Sequence, residues 1–192
     1  MTQLIELETD RLRLRQWTLA DRAAFAALNS DARVMEFLSE PLTRAASDAM
    51  ADRCQALLQE RGWGFWAAEY KATGEFAGFV GLHIPSAALP FSPCVEIGWR
   101  LAVHHWGKGL ATEAAREALR VGFEVLELPA IVSFTALGNA RSRAVMRHLG
   151  MREVGTFEHP HVAEASPLRL HCLYRLRRDE YLHPLPIGST RS

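Results

Sequence analysis

The chain has 192 residues, and its 22 Lys and Arg balance 22 Asp and Glu, so the formal net charge is zero. A neutral chain has no overall field that attracts DNA, RNA or an anionic membrane surface, so no nucleic-acid or membrane partner is expected. The composition is 48% apolar and 23% charged, which excludes disordered, collagen-like and coiled-coil classes. We find no apolar run of about 18 residues and no secretory leader. Three widely spaced cysteines predict reduced thiols and a cytoplasmic protein.

The N-terminal third predicts one strand followed by two helices. Leu12 and Leu14 alternate with arginines, which predicts a strand over about 4–16. Thr18 and Asp21 form a variant capping box that opens a helix, with a predicted apolar face of Leu19, Ala23, Ala26 and Ala27. A second helix begins after Thr43, ends at Gly62 and carries apolar residues at helical spacing, namely Ala46, Met50, Leu57 and Leu58.

Three strands and a strong helix are predicted next. Segments 65–70 and 76–84 flank a hairpin turn that contains Gly74, and segment 95–103 follows a Pro-rich loop. The helix covers about 110–125, with an apolar stripe formed by Ala111, Ala114, Ala115, Ala118, Leu119 and Phe123.

The remainder predicts a strand, a helix capped by Asn139 and ending at Gly150, and two further strands. The three strands cover 131–135, 151–158 and 168–177. The order β-α-α-β-β-β-α-β-α-β-β predicts an α/β fold with a mixed sheet and helices on both faces. Residues 1–183 are predicted to form one domain, and 184–192 a loose tail.

The turn between the fourth predicted strand and the strong helix contains Gly107 and Gly109. Glycines allow a sharp turn and close approach of a ligand, and the free N–H groups of a helix N-terminus favour phosphate or pyrophosphate. No Walker loop is present, and a dinucleotide fingerprint fails because position 112 is Thr and Glu127 lies before the next strand. A turn that serves only packing remains an alternative.

Five sequence motifs occur in order along the chain: Trp106-Gly-Lys-Gly-Leu-Ala111 in the turn, and the stretches 9–15, the hairpin 73–82, 96–99 and 139–151. Together, and in register, they resemble the GNAT superfamily of N-acetyltransferases, in the branch typified by the ribosomal-protein N-terminal acetyltransferases RimJ and RimL. The 106–111 stretch matches the acyl-CoA loop of that family except at Trp106, which replaces the usual Gln or Arg and is similar to that branch. The resemblance covers about 9–177.

The resemblance implies a mixed, mostly antiparallel sheet that splays between its fourth and fifth strands, with acetyl-CoA as cosubstrate in the gap. Pantetheine would pair with the backbone of Leu101, Ala102 and Val103. Asn139 would hold the pantetheine arm or the adenosine side. The pyrophosphate would lie on the loop residues Trp106, Gly107, Lys108, Gly109, Leu110, Ala111 and Thr112.

The implied reaction moves an acetyl group from acetyl-CoA to a primary amine, either a protein N-terminus or a small molecule, by direct attack through a tetrahedral intermediate. Attack requires a neutral amine, so a base or a water chain is needed. A backbone N–H can stabilise the oxyanion, and an acid helps the thiolate to leave. The alternative function is a non-catalytic CoA-binding sensor or interaction module. The protein is expected to be a monomer or a homodimer.

Three residues are candidates for proton handling. Many relatives carry a Tyr seven residues after the Asn that corresponds to Asn139, and this chain has Met146 there. Ser142 is therefore the candidate acid. Alternatively, Ser142 is only a packing residue. Glu96 is out of phase with its apolar neighbours on the strand and is the candidate base. Alternatively, it is a solvated carboxylate or forms an ion pair with Arg100. Tyr174 could orient substrate or thiolate, or be a half-buried aromatic.

Two pairs of histidines invite a metal hypothesis. His104 and His105 are adjacent and are expected to point apart, which is poor chelation. His159 and His161 could share one side of a loop near the acceptor cleft, but no acidic or cysteine cluster completes a ligand set. No metal is predicted.

Overall fold

The computed structural model describes residues 3–38 and 40–183, so the predicted tail over 184–192 lies outside the described residues. The strands are β1 (Leu7–Glu8), β2 (Leu12–Arg15), β3 (Phe65–Tyr70), β4 (Glu75–His83), β5 (Glu96–Leu101), β6 (Ala130–Ala136), β7 (Arg152–Glu158) and β8 (Leu170–Arg177). The helices are α1 (Asp21–Ser30), α2 (Ala32–Met35), α3 (Arg44–Arg61), α4 (Leu110–Arg120), α5 (Ala140–His148) and α6 (Arg178–Leu182). The short α2 and α6 are absent from the predicted order.

The eight strands form one sheet in the order β1-β2-β3-β4-β5-β6-β8-β7. Neighbouring strands are antiparallel except β5 and β6, which run parallel and share the single register pair Glu96 and Val132. Beyond that pair the two strands separate. The predicted mixed, mostly antiparallel sheet that splays between its fourth and fifth strands, here β5 and β6, is therefore confirmed.

The single N-terminal strand predicted over 4–16 is wrong. The segment folds into β1 and β2, which pair antiparallel with Leu7 opposite Leu14. Thr9 causes the reversal, because its Oγ1 accepts the N–H of Leu12 at 2.9 Å while its own N–H donates to the Leu12 carbonyl at 2.9 Å. A two-residue strand is too short to show its own period.

The predicted apolar face of the first helix is also wrong. Leu19 lies before α1 and is 85% exposed, whereas the buried apolar face consists of Phe25 and Leu28. The helix begins at Asp21, whose carboxylate accepts the N–H of Thr18 at 2.8 Å. That bond is one of the two expected of the predicted capping box. The other is missing, because the Thr18 hydroxyl does not cap the helix and instead donates to the same carboxylate at 3.0 Å.

The other boundaries follow their sequence signals. Thr43 Oγ1 accepts the Ala46 N–H at 3.2 Å and opens α3, and Gly62, at φ 81°, ends it. The predicted 110–125 helix is α4 continued by a π-helical turn over Val121–Val125. A Cβ on Gly122 in that turn would lie 2.5 Å from Ile131 Cδ1, so this glycine allows the helix to approach the sheet closely.

Helices cover both faces of the sheet, as predicted. Gly122 of the α4 continuation contacts Ile131 and Leu82 on one face. The side chain of Arg100 points to the opposite face of the sheet from these residues. There it donates a hydrogen bond to Asn29 of α1. The three cysteines are free. Among the described residues, no helix combines the length and apolar character needed to cross a membrane.

Candidate active site

A cavity of about 700 Å³ opens where β5 and β6 separate. Of the residues predicted for the site, ten line this cavity: Glu96, Leu101, Trp106, Gly107, Gly109, Leu110, Ala111, Thr112, Asn139 and Ser142. Ala102, Val103, Lys108 and Tyr174 do not. The splayed strands therefore bring together most of the residues predicted from the sequence in one cleft.

The turn before α4 has the geometry of an anion-binding loop. Gly107 and Gly109 adopt φ of 71° and 75°, a left-handed conformation that favours glycine. The first helical hydrogen bond runs from the Glu113 N–H to the Gly109 carbonyl at 3.0 Å. The N–H groups of Leu110, Ala111 and Thr112 precede it, so α4 offers them no acceptor, and the helix dipole adds partial positive charge there.

Arg11, which the site prediction missed, braces this loop from β2. Its Nη1 donates to the Lys108 carbonyl at 2.8 Å, and its Nε donates to Glu113 at 2.7 Å. The backbone N–H of Arg11 also donates to Glu113, at 2.9 Å. These bonds fix the loop between the N-terminal hairpin and the first turn of α4. The 9–15 motif contained Arg11, but nothing in that motif indicated which loop it contacts.

Trp106 connects the same loop to the end of β5. Its indole N–H donates to the Leu101 carbonyl at 2.8 Å, and the Arg141 guanidinium lies 4.5 Å from the ring centroid. At that distance the cation and the ring attract each other. Trp106 therefore holds the loop through its own side chain and is covered by α5.

The register of β5 decides which of the expected pantetheine partners have backbone groups on the gap side. The Ala102 N–H donates to the Ala77 carbonyl at 2.9 Å, so it is already paired with β4. Backbone groups of an antiparallel strand alternate between its two sides, so Trp99 and Leu101 present theirs toward β6. Val103 opens a 3₁₀ turn over Val103–His105. The strand edge beside the gap therefore includes Trp99 and Leu101, whereas the Ala102 N–H faces β4. The pairing of pantetheine with Leu101 and Val103 stays a prediction.

Asn139 lies at the junction of β6 and α5, as predicted for a helix cap. Its Oδ1 accepts the Ser142 N–H at 3.1 Å, and its Nδ2 donates to Thr135 Oγ1 at 3.0 Å. Ser142 is partly exposed to the cavity, and within the described residues its hydroxyl has no hydrogen-bond partner. Met146, 1% exposed, also lines the cavity from α5.

Glu96 approaches the cleft from the opposite face, as its phase predicted. Its Oε1 lies 3.9 Å from a Cβ built on Gly98, beside the Phe65 ring. Among the described residues Glu96 has no ion-pair or hydrogen-bond partner, so the alternative of a pair with Arg100 is wrong. Burial of the carboxyl without a compensating cation raises its pKa to about 8.

Arg100 is a second charged residue on this wall that the site prediction missed. Its Nη1 donates to Asn29 Oδ1 at 2.6 Å, and its guanidinium lies 5.4 Å from the Phe79 centroid. Burial lowers the pKa of Arg100 to about 10. Its position on the same strand face as Glu96 was the signal available in the sequence.

The comparisons with known proteins agree with this geometry. The family model described as "Acetyltransferase (GNAT) domain" matches residues 11–152, which is most of the chain. The chain belongs to the GNAT acetyltransferase family. Members of this family use acetyl-CoA as cosubstrate, and the protein is an acetyltransferase.

Relatives of this acetyltransferase include the uncharacterized protein YkkB of Bacillus subtilis, 34% identical over 79% of this chain and 87% of YkkB. The FsC-acetyl coenzyme A-N(2)-transacetylase of Aspergillus fumigatus is 35% identical over 68% of this chain and 57% of its own length. A GNAT acetyltransferase structure from Bacillus anthracis superposes with a TM-score of 0.77 at 21% identity, covering 92% of this chain and 100% of that one. At that identity the structure supports the fold alone.

Two groups of predicted residues lie away from the cleft of this acetyltransferase. Tyr174 is 2% exposed, and its hydroxyl donates to Glu153 at 2.8 Å, which in turn pairs with Arg143 at 3.1 Å. The structure therefore does not bring Tyr174 to the other candidates. His159 and His161 do not line the cavity either.

The expectation that His104 and His105 point apart is wrong. Both Nε2 atoms approach the same oxygen, Oε1 of Glu75, at 3.5 and 3.1 Å. The 3₁₀ turn brings the two rings to the same side, with centroids 4.2 Å apart, whereas adjacent residues on a strand would diverge.

Proposed function

We propose that this acetyltransferase moves an acetyl group from acetyl-CoA to a primary amine by direct attack through a tetrahedral intermediate. The observation that carries the proposal is the cleft itself, in which Glu96 of β5 and Ser142 of α5 line one cavity beside an anion-binding loop. The substitution of Trp106 for the usual Gln or Arg supports membership of the RimJ/RimL-like branch.

Acetyl-CoA fits the cleft in one direction. The N–H groups of Leu110, Ala111 and Thr112 suit the pyrophosphate, because they precede the first helical bond and lie at the positive end of α4. The backbone of Trp99 and the N–H of Leu101 suit the pantetheine arm, which would act as an added strand, whereas the Leu101 carbonyl already accepts the Trp106 indole N–H. Asn139, on the opposite side of the gap, can contact the same arm through its remaining amide hydrogen.

The proton transfers are divided between the two walls. Glu96, as a carboxylate, removes the proton from the acceptor ammonium, directly or through water, and its raised pKa makes it a stronger base than an exposed carboxylate. A backbone N–H beside the gap stabilises the oxyanion. The Ser142 hydroxyl donates to the departing thiolate. Tyr174 has no part in this scheme, because its hydroxyl is bonded to Glu153.

The acceptor wall favours an amine that also carries a carbonyl or carboxylate. Phe65, Phe79 and Met50 make this side of the cavity apolar, and Arg100 adds a buried cation. A polycation such as a polyamine or an aminoglycoside would be repelled by that cation. A peptide N-terminus or a small amine bearing a carboxylate carries a single ammonium group together with a carbonyl or carboxylate oxygen that the guanidinium attracts. We therefore propose one of these two as the acceptor class.

A non-catalytic CoA-binding module is the second candidate function. The observation in its favour is Met146, which lines the cavity. Relatives carry a proton-donating Tyr at this position, whereas a Met side chain cannot donate a proton. Release of free CoA, measured with a thiol reagent against a panel of peptides, amino acids, spermine and an aminoglycoside, separates the two. An enzyme releases CoA with some of these acceptors, and we expect the highest rates with peptides or amino acids. A binding module shows acetyl-CoA affinity by calorimetry but no turnover with any of them.

A further inference from the structure

Three potential metal ligands meet beside the CoA loop but outside the proposed reaction. Glu75 begins β4, and His104 and His105 end the 3₁₀ turn that leads into Trp106. The two histidine Nε2 atoms and one Glu75 oxygen all lie within 4.8 Å of one another. The Nε2 to Oε1 distances are 3.5 Å for His104 and 3.1 Å for His105.

His105 supplies a second observation that points to a ligand. The residue is 1% exposed, yet within residues 3–38 and 40–183 neither of its ring nitrogens has a hydrogen-bond partner. Glu75 Oε1 lies 3.1 Å from Nε2, which is ion-pair distance. Buried polar atoms are nearly always satisfied, because an unpaired one forfeits its hydration without compensation. A bound cation would use the Nε2 lone pair.

We propose that Glu75, His104 and His105 bind one divalent transition-metal ion of the zinc class. Zinc binds imidazole nitrogen and carboxylate oxygen at about 2.0–2.2 Å, and tetrahedral geometry then separates ligand atoms by about 3.3 Å. The observed 3.1 and 3.5 Å bracket that spacing. The Glu75 and His104 side chains are 46% and 65% exposed, so water can reach a fourth position.

The site would act on the structure of the loop, not on the chemistry. Glu75 belongs to β4, whereas His104 and His105 directly precede Trp106, so a shared ion would tie the loop to the sheet. His105 also lines the CoA cavity. The ion would therefore stabilise the loop in its ligand-binding conformation. This proposal revises the expectation that the chain holds no metal, and it does not depend on the proposed acceptor.

Titration calorimetry of the metal-free, tag-free protein with ZnCl₂ tests the site. We expect one equivalent to bind, and Co²⁺ to give the visible absorption of a nitrogen- and oxygen-bound ion. Glu75→Gln and His104→Gln, both at exposed side chains, should each weaken Zn²⁺ binding at least 100-fold, since loss of an outer-shell partner alone costs about 10–100-fold. His161→Gln removes an exposed histidine elsewhere and is the matched control.

Two results would overturn the site. The first is no Zn²⁺ binding by the wild-type protein at millimolar concentration. The second is equal affinity in wild type, Glu75→Gln and His104→Gln, or an equal loss in His161→Gln, which would assign the ion to other histidines. A thermal melt with and without one equivalent of Zn²⁺ checks folding, and we expect a rise in Tm for the wild type and the control only.

Discussion

Replacement of Glu96 by Gln tests the proton chemistry of the cleft most directly. The amide keeps the size of the side chain but cannot accept the proton of an ammonium group. Wild-type Glu96 lies beside Phe65 and has no ion-pair partner among the described residues, so burial raises the pKa of its carboxyl from 4.5 to about 8. At pH 7 about a tenth of the wild-type protein therefore carries the base form, and at pH 9 about nine-tenths does.

The magnitude of the kinetic effect follows from these fractions. General base catalysis contributes about 10²–10⁴-fold. We expect kcat/KM of Glu96→Gln to be about 100-fold below wild type at pH 9 and about 10-fold below at pH 7, because most wild-type molecules are already protonated there. The wild-type rate should rise through a midpoint near pH 8. Titration of the acceptor amine affects both proteins equally, so the ratio of the two rates isolates Glu96.

The same pKa predicts an effect on folding. The native state binds the Glu96 proton more tightly than the unfolded chain does. The free energy of unfolding is therefore unreduced below pH 4.5 and falls as the pH rises toward 8. At pH 7 this cost is at most about 3 kcal/mol, because water in the open cleft screens the charge. Glu96→Gln avoids the cost, so urea unfolding should find the variant more stable than wild type at pH 8 and equal to it at pH 4.

Two measurements can refute this reasoning. The ¹³Cδ resonance of Glu96, assigned as the signal lost in Glu96→Gln, should titrate near pH 8, and a midpoint near 4.5 would contradict the burial argument. A Glu96→Gln rate within threefold of wild type from pH 7 to 9 would instead transfer the base role to a water chain.

Three further variants, with Gly74→Ala as a matched control outside the cleft, test the other wall of the cleft. Gly109→Ala and Gly74→Ala place a Cβ at φ 75° and 70° without a close contact, so each should cost about 1–2 kcal/mol in urea unfolding, but only Gly109→Ala should weaken acetyl-CoA binding in calorimetry. Ser142→Ala should lower kcat about 100-fold with unchanged acetyl-CoA affinity, and a kcat within twofold of wild type would leave Ser142 as packing. Asn139→Ala should cost about 1 kcal/mol and raise the acetyl-CoA KM, whereas normal kinetics would leave it as a cap only.

The loop before α4 could be predicted because its signals are local. Gly107 and Gly109 separate a period-two segment from a strong helical stripe, and both the turn and the cap depend on residues a few positions apart. The cap at Asn139 is local in the same way, since its oxygen accepts an N–H three residues on. Signals of this kind are present in the chain before any tertiary contact forms.

The features that escaped prediction depend on contacts between distant segments. Which backbone groups of β5 face the gap is decided by the register with β4, through bonds such as Ala102 to Ala77. The start of α1 depends on Asp21, which is buried because Arg15 pairs with it at 2.8 Å. The brace from Arg11 to the loop spans almost 100 positions. No periodicity in the chain encodes such pairings.

The split in the sheet places the proposed base and the proposed acid on different faces. Along β5, alternate residues face opposite sides, so Glu96 and Arg100 lie with α1 while Leu101 and its odd-numbered neighbours lie with α4. Ser142 enters from α5, on the α4 side. In the proposed scheme the acceptor and the thiolate therefore meet residues that pack with different helices on different faces. A substitution that reshapes the acceptor wall around Arg100 need not disturb the CoA loop, which is held independently by Arg11 and Trp106. If the proposed roles hold, that separation allows acceptor specificity to vary while the proposed cosubstrate site stays the same.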